Sequence, residues 1–128
     1  MPHVLVCDSR RELKSDNAQR TIPLVGVSLM AMQANSKGFP RYWDKADSLS
    51  ALLNKVLATR GLRPVKRQSL YSLRHSFESR LTVAGVDDRV RAELMGHTYY
   101  REKYGDGGTL EFKRDCIRRA ALRPPKSV

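Results

Sequence analysis

The sequence predicts an α+β domain that is mostly helical, with a small β-hairpin unit at its N-terminal end and about five helices after it. Two short runs, His3-Val-Leu-Val-Cys7 and Arg20-Thr-Ile-Pro-Leu24, have the composition of strands. From about Val25 onward the apolar residues recur at helical spacing, which predicts the helices. With 128 residues, 41% of them hydrophobic, the chain can bury one small core and is expected to form a single domain.

This domain is expected to comprise a hairpin unit (residues 1–24), a helical part (residues 25–123) and a short tail (residues 124–128). The charged, turn-rich residues between the two strands predict a hairpin or a small three-stranded sheet. Pro23 is expected at a strand end or a sheet edge, because proline has no N–H group to donate to a neighbouring strand.

The ends of the first two helices are predicted from capping residues and glycines. A first helix begins near Val25, and Gly38 can close its C-terminal end. Asp47 or Ser48 is expected to cap a second helix, which ends at Gly61. The aromatic side chains of the loop between these helices are expected to pack against the protein, and they are Phe39, Tyr42 and Trp43.

Three further helices are predicted in the second half. The third runs from roughly Ser72 to Ala84, the fourth is capped by Asp87 and closed by Gly96, and the fifth is capped by Thr109. The residues expected to pack inward on these helices are Leu73, Phe77, Leu81, Ala84, Val90, Leu94, Leu110, Ile117, Ala120 and Ala121.

The charge is strongly positive and unevenly distributed. Lysine and arginine number 24 against 13 aspartates and glutamates, which gives a net charge of +11. Residues 1–59 carry 8 basic and 5 acidic side chains, whereas residues 60–128 carry 16 and 8. Such a field favours polyanions, and double-stranded DNA is the first candidate partner, although a basic charge alone is also common in proteins of other function.

Other classes of protein are disfavoured. Cys7 and Cys116 are far apart and lack a CxxC spacing, so they are expected to be buried thiols in a reducing compartment. The sequence predicts no metal site and contains no nucleotide-type glycine-rich loop, so no cofactor is expected. It has no apolar run of membrane-spanning length and no signal-peptide pattern, which predicts a cytoplasmic protein with no membrane partner.

The residues suited to chemistry lie in the more basic half. Tyr71-Ser-Leu-Arg-His-Ser-Phe77 is followed by Leu94-Met-Gly-His97 and then by Tyr104, seven residues after His97. A tyrosine supplies a nucleophile, and an arginine supplies a planar fork that fits phosphate oxygens. A histidine donates a hydrogen bond or moves a proton near neutral pH. This combination indicates phosphodiester chemistry on nucleic acid.

In this order, the phrases resemble the C-terminal part of a tyrosine recombinase (phage integrase) catalytic domain, and the likeness covers nearly the whole chain. Leu13-Lys14-Ser15 and the strand that begins at Arg20 resemble the β-hairpin of that family. The resemblance implies a site-specific recombinase of a mobile element, which cleaves and rejoins DNA through a 3′-phosphotyrosine without a cofactor. It also implies double-stranded DNA as partner and self-assembly of the full-length protein on that DNA.

The same resemblance implies a role for each residue. Tyr104 attacks the phosphate, Arg74 and His97 stabilise it, and Lys14 protonates the 5′-hydroxyl that leaves. Tyr71 stands where the family commonly has a histidine, and its phenol can hydrogen-bond to phosphate. Further contacts with the DNA backbone are expected from Arg20, Arg67, Arg101 and Lys103.

A plainer interpretation exists for each of these residues. Tyr104 would be an ordinary surface tyrosine and Lys14 a solvated turn lysine. Arg74 would form a helical ion pair with Glu78, four residues along the chain. His97 would cap the end of the fourth helix, where the helix dipole favours a cation. For His97 taken alone the two interpretations are equally supported, and the surrounding motif favours the functional one.

One family residue has no counterpart. The family has a further arginine in a helix upstream of the hairpin, and Arg10 and Arg11 lie on the wrong side of the first strand to replace it. We therefore expect Arg74 to hold the phosphate without a second arginine, and the chain by itself to be an inactive fragment. The other candidate function is a non-catalytic DNA-binding module derived from a decayed integrase.

Overall fold

The computed structural model describes residues 1–8, 18–100 and 108–126. In these residues a two-stranded antiparallel sheet precedes five α-helices, so the predicted class, α+β and mostly helical, is confirmed. The helices are α1 (Gly26–Ala34), α2 (Ala46–Thr59), α3 (Ser72–Val83), α4 (Asp88–Met95) and α5 (Leu110–Ala120). Within the described ranges, no helix is both long enough and apolar enough to cross a membrane.

The two strands pair as the sequence predicts. Strand β1 (His3–Val6) runs antiparallel to β2 (Arg20–Pro23), with His3 opposite Pro23 and Val6 opposite Arg20. Pro23 is the last residue of β2 and is one of the most deeply buried side chains among the described residues. Strand β2 therefore begins at Arg20 and ends at Pro23, where the chain enters the core.

The core lies where α3, α4 and α5 pack against one another and against β2. Leu81 of α3 is at its centre and has an exposed fraction of 0%. The buried residues of this cluster are Val25, Leu81, Val86, Val90, Leu94, Cys116, Ile117 and Ala120. Although α4 is only eight residues long, three of its apolar residues are buried: Val90, Leu94 and Met95.

Helices α1 and α2 are peripheral, and neither contributes a buried residue. The N-terminal end of α1 is held to the chain beyond α5, where the Val27 N–H donates to the Leu122 carbonyl at 3.2 Å. Gly26 has a φ of +55° and lies so close to the same carbonyl that a Cβ there would collide with it. The glycine therefore allows α1 to begin directly against this segment.

Several predictions of burial were wrong. Leu73 is 58% exposed, because it borders an open hollow of about 360 Å³ between α1, α3 and α5 rather than a packed interface. Phe39 and Trp43 are 54% and 57% exposed, and the segment between them packs against the peripheral α2. Of the two cysteines, Cys116 is buried as predicted, whereas Cys7 is only half-buried because it follows the last residue of β1.

The helix boundaries were predicted more accurately. Helices α3 and α4 begin and end within one or two residues of the predicted positions, and Asp87 and Thr109 accept the expected capping hydrogen bonds from Arg89 and Phe112. Helix α1 ends at Ala34, with Asn35 rather than the predicted Gly38 as its C-cap residue. Helix α2 begins at Ala46, before the predicted caps Asp47 and Ser48, and its N-cap residue makes no side-chain hydrogen bond.

We expect Leu81→Ala to lower the free energy of unfolding by about 2–5 kcal/mol, because it leaves a cavity in the middle of the core. Leu73→Ala removes the same atoms from the same helix at a largely exposed position, so its effect should stay within about 0.5 kcal/mol. Urea unfolding followed by circular dichroism measures both variants. Equal losses would contradict this placement of the core.

Candidate functional site

The C-terminal end of α4 is closed by a left-handed glycine. Gly96 has a φ of +68°, which lets the chain turn back on the helix. The Gly96 N–H donates to the Glu93 carbonyl at 3.2 Å, and the His97 N–H donates to the Ala92 carbonyl at 2.9 Å. Two of the four carbonyls that an α-helix leaves without a partner at its end are thereby satisfied.

The other two carbonyls accept hydrogen bonds from arginines that come from elsewhere in the fold. Leu94 O accepts from Arg20 Nε at 3.1 Å, and Met95 O accepts from Arg74 Nη2. Arg20 lies on β2 and Arg74 on α3, so three separate elements meet at this helix end. The negative end of the helix dipole favours both cations at this position.

The two sequence phrases are joined directly by a side-chain contact. Arg74 Nη2 lies 2.9 Å from Nε2 of His97, although 23 residues separate them in the chain. A guanidinium carries only donors, so Nε2 must be the acceptor and the imidazole proton lies on Nδ1. Nδ1 faces Glu78 Oε1 at 3.7 Å. Glu78 therefore contacts His97, instead of pairing with Arg74 as the plainer interpretation expected.

Arg20 is held in place by several contacts. Its Nη1 donates to Ala18 O at 2.7 Å, and its guanidinium lies over Gly96, where an added Cβ would be 2.6 Å from Nη1. Partial burial, followed by the nearby positive charge of Arg74, lowers the pKa of Arg20 from its usual value. The Arg74 guanidinium is thus close enough to disfavour the charge of Arg20.

No carboxylate neutralises this pair within the described residues. The ion pairs found there involve neither Arg20 nor Arg74, and Glu78 contacts His97. Other arginines of α4 are paired, since Arg89 binds Glu93 at 3.4 Å. The candidate site is therefore a small region of uncompensated positive charge at the edge of the core.

Tyr71 and Arg67 lie outside this contact network. Tyr71 directly precedes α3, is 65% exposed and packs edge-on against His75 with ring centroids 5.4 Å apart. Arg67 is exposed in the segment between α2 and α3. The remaining predicted site residues, Lys14, Arg101, Lys103 and Tyr104, lie outside the described residues. Within the described part of the chain, no three histidine, cysteine or acidic side chains lie close enough together to hold a metal ion.

The position of Arg20 was missed by reasoning from the sequence, which expected it to contact DNA and expected Arg74 to have no second arginine beside it. In the structure, β2 places the Arg20 guanidinium on the carbonyl next to the one that binds Arg74, so a second arginine does lie beside it. The only signal in the sequence was an arginine at the start of a strand. Nothing in that pattern identifies a helix 74 residues further along the chain as its partner.

We expect Gly96→Ala to destabilise the protein through two separate effects. A side chain at positive φ costs about 1–2 kcal/mol, and the new Cβ would also push Arg20 away from Leu94 O. Gly85→Ala is the matched control, because Gly85 has the same φ of +68° but nothing within 4 Å of an added Cβ. Urea unfolding should show a larger loss for Gly96→Ala. Equal losses would contradict the close packing of Arg20.

Comparison with models of protein families, with curated proteins and with solved structures found no match for this chain. The family to which the chain belongs is therefore not shown. Its function is inferred below from its residues and from the geometry at the end of α4.

Proposed function

We propose that this chain is the C-terminal part of the catalytic domain of a tyrosine recombinase, which cuts and rejoins DNA through a covalent 3′-phosphotyrosine. One observation carries the proposal. The hydrogen bond between Arg74 and His97 brings together the two motif phrases that the family resemblance rests on. Such a contact is not required by helical packing, because both side chains lie at the edge of the core rather than in it.

Arg74 is suited to bind the phosphate at which the strand is cut. Its Nη2 is fixed by Met95 O and His97, while Nε and Nη1 have no hydrogen-bond partner among the described residues. Those free N–H groups match two non-bridging phosphate oxygens. When the attacking oxygen adds to phosphorus, negative charge grows on these oxygens, and a fixed guanidinium stabilises it without reorganising.

His97 is suited to respond to the same phosphate. In the present geometry its Nε2 accepts from Arg74, so it donates nothing outward. A phosphate oxygen that replaced this contact would accept a hydrogen bond from Nε2 once that nitrogen carries a proton, and Glu78 Oε1 faces Nδ1 at 3.7 Å. His97 would then donate a hydrogen bond to the phosphate from the same nitrogen.

The bond changes are assigned to two residues that lie outside the described ranges. The phenol of Tyr104 releases its proton to water as its oxygen forms a bond to phosphorus, and the bond from phosphorus to the 5′-oxygen breaks. Lys14 gives a proton to that oxygen, which leaves as a hydroxyl. Attack by another 5′-hydroxyl reverses these steps and releases Tyr104. No energy source is needed, because one phosphate ester replaces another at each step.

Binding to the rest of the DNA is assigned to basic residues around the site. Residues 60–128 carry 16 basic against 8 acidic side chains, and this half contains both motif phrases. Arg67, Arg101 and Lys103 are proposed to contact backbone phosphates, with no base specificity. Full activity is assigned to the protein encoded by the complete gene, with several copies assembled on double-stranded DNA.

A second candidate function is DNA binding without cleavage, by a module derived from a decayed integrase. The observation in its favour is Tyr71, which occupies the position where the family commonly has a histidine. A phenol is a weaker proton acceptor than imidazole near neutral pH. In such a module the cations at the end of α4 would bind phosphate, but no covalent intermediate would form.

Covalent trapping separates the two functions. The protein encoded by the complete gene would be incubated with a pool of nicked duplexes, from which the short fragment that carries the released 5′-hydroxyl diffuses away. We expect labelled DNA to remain attached to the protein on a denaturing gel for the unmodified protein and for Tyr100→Phe, a matched change at a nearby exposed tyrosine. Tyr104→Phe should give no adduct, because the attacking oxygen is gone.

Adducts that persist in Tyr104→Phe would show that another tyrosine, such as Tyr99 or Tyr100, is the nucleophile. Retention of the duplexes on a native gel without adducts from any of these proteins would favour the non-catalytic module. Sequencing the covalently retained DNA would identify the preferred target site.

Arg74→Lys tests the phosphate contact within the same assay. Lysine keeps the charge but loses the planar fork, so we expect the rate of adduct formation to fall by about 10²–10³-fold, the usual effect of removing one donor to a developing oxyanion. Arg80→Lys is the matched control, because Arg80 lies on the same helix and donates to the Ala120 carbonyl at 2.7 Å. A rate that falls equally in both variants would point to damage to α3 rather than to the phosphate contact.

A further inference from the structure

We infer that Arg20 and Arg74 form one binding site for a single tetrahedral phosphate group, in which Arg20 supplies the second guanidinium. We call it the two-arginine site. It lies at the end of α4, and His97 borders it. That the phosphate belongs to a DNA backbone rests on the proposed function. That the site binds an oxyanion rests on its geometry and charge alone.

Both guanidiniums are held by the protein through only part of their donor set. A guanidinium has five N–H donors. Arg20 uses Nε and one N–H of Nη1, and Arg74 uses the two N–H groups of Nη2. Within the described residues, the remaining donors of both side chains have no hydrogen-bond partner. Each arginine is therefore oriented by backbone carbonyls and still has N–H groups left for a ligand.

The fold holds these arginines next to each other at an electrostatic cost. Their anchors, Leu94 O and Met95 O, are carbonyls of successive residues. The end of a helix dipole offers roughly half a negative charge, which offsets only part of two full positive charges. The depressed pKa of Arg20, caused first by burial and then by Arg74, agrees with this imbalance. An oxyanion between the two guanidiniums would remove the repulsion.

A purely structural role explains less of what is observed. Capping of a helix end needs only one arginine, as at the Ala120 carbonyl, which accepts from Arg80, an arginine without an ion pair among the described residues. Capping does not explain why two arginines lie on successive carbonyls, where the charge of Arg74 contributes to lowering the pKa of Arg20. This pair lies beside the histidine that the sequence singled out.

Arg20 gives the candidate site a second arginine. The sequence left Arg74 without a second arginine, because the upstream family arginine has no counterpart in the chain. Arg20 reaches the site from β2 instead, through its contacts with Ala18 O and Leu94 O. The guanidiniums of Arg20 and Arg74 can therefore each bind the phosphate group through two N–H groups, and no residue from outside this chain is needed.

The test titrates inorganic phosphate into the chain and follows the arginine Nε–H and backbone amide signals by NMR. Sodium chloride at matched ionic strength is the control, because salt alone weakens exposed charge interactions. We expect saturable shifts of the Nε–H signals of Arg20 and Arg74 and of the amides of Gly96 and His97. The absence of a saturable shift, or a shift of Arg74 without Arg20, would overturn the inference.

Variants then separate binding from support of the fold. Arg20→Lys and Arg74→Lys should each weaken phosphate binding by about tenfold or more, since each loses a charge-assisted bidentate contact. Arg80→Lys, which also removes a bond to a helix-terminal carbonyl, should bind phosphate like the unmodified chain. Unchanged phosphate affinity in Arg20→Lys would overturn the inference. If Arg20→Lys does not fold, the Arg20 Nε–H signal of the unmodified chain shows whether Arg20 binds phosphate.

A short unnicked duplex, in place of inorganic phosphate, identifies the source of the phosphate. Shifts of the same signals support a DNA backbone phosphate, whereas binding of inorganic phosphate alone would overturn that part of the inference. Neither titration involves Tyr104 or strand cleavage. Loss of the covalent adduct with intact phosphate binding would thus refute the proposed function only, and an adduct that is indifferent to Arg20→Lys would refute only the inference.

Discussion

Four backbone carbonyls at the end of α4 need hydrogen-bond donors, and the way they obtain them determines the candidate site. The turn at Gly96 supplies two donors from the chain itself, through its own N–H and that of His97. The other two carbonyls receive the side chains of Arg20 and Arg74. A requirement of backbone hydrogen bonding therefore brings a strand, two helices and three basic side chains to one place.

The same residues of α4 serve both the core and the site. The side chains of Leu94 and Met95 are 3% and 2% exposed, so they fix the end of the helix to the protein interior. Their carbonyls point to the edge of the core and hold the two arginines. Displacing either residue would disturb packing and electrostatics together, since a close-packed interior transmits small shifts. The precision of the arginine positions thus follows from the packing of α4.

The charges at this site differ from those of the ion pairs on α4 and α5. There, Arg89, Arg91 and Lys113 have acidic partners, as in the contact between Lys113 and Glu93 at 2.9 Å. Arg20 and Arg74 have only carbonyls and a neutral imidazole nitrogen. Glu78 is close enough to influence His97, at 3.7 Å, but it does not neutralise the arginines. Because no acidic side chain neutralises Arg20 and Arg74, the site is suited to bind an anion. This uncompensated charge is the strongest link between the structure and the proposed chemistry.

Local chemistry allowed the sequence by itself to determine the class of fold, the strand pair and most helix ends. Asp87, Gly96 and Thr109 act within one turn of their own positions, so their roles can be read directly from the chain. Only the tertiary structure decided that Leu73 is exposed and that Arg20 lies beside Arg74. Both outcomes depend on how distant elements pack, and helical periodicity or residue type carries no information about which distant carbonyl an arginine will reach.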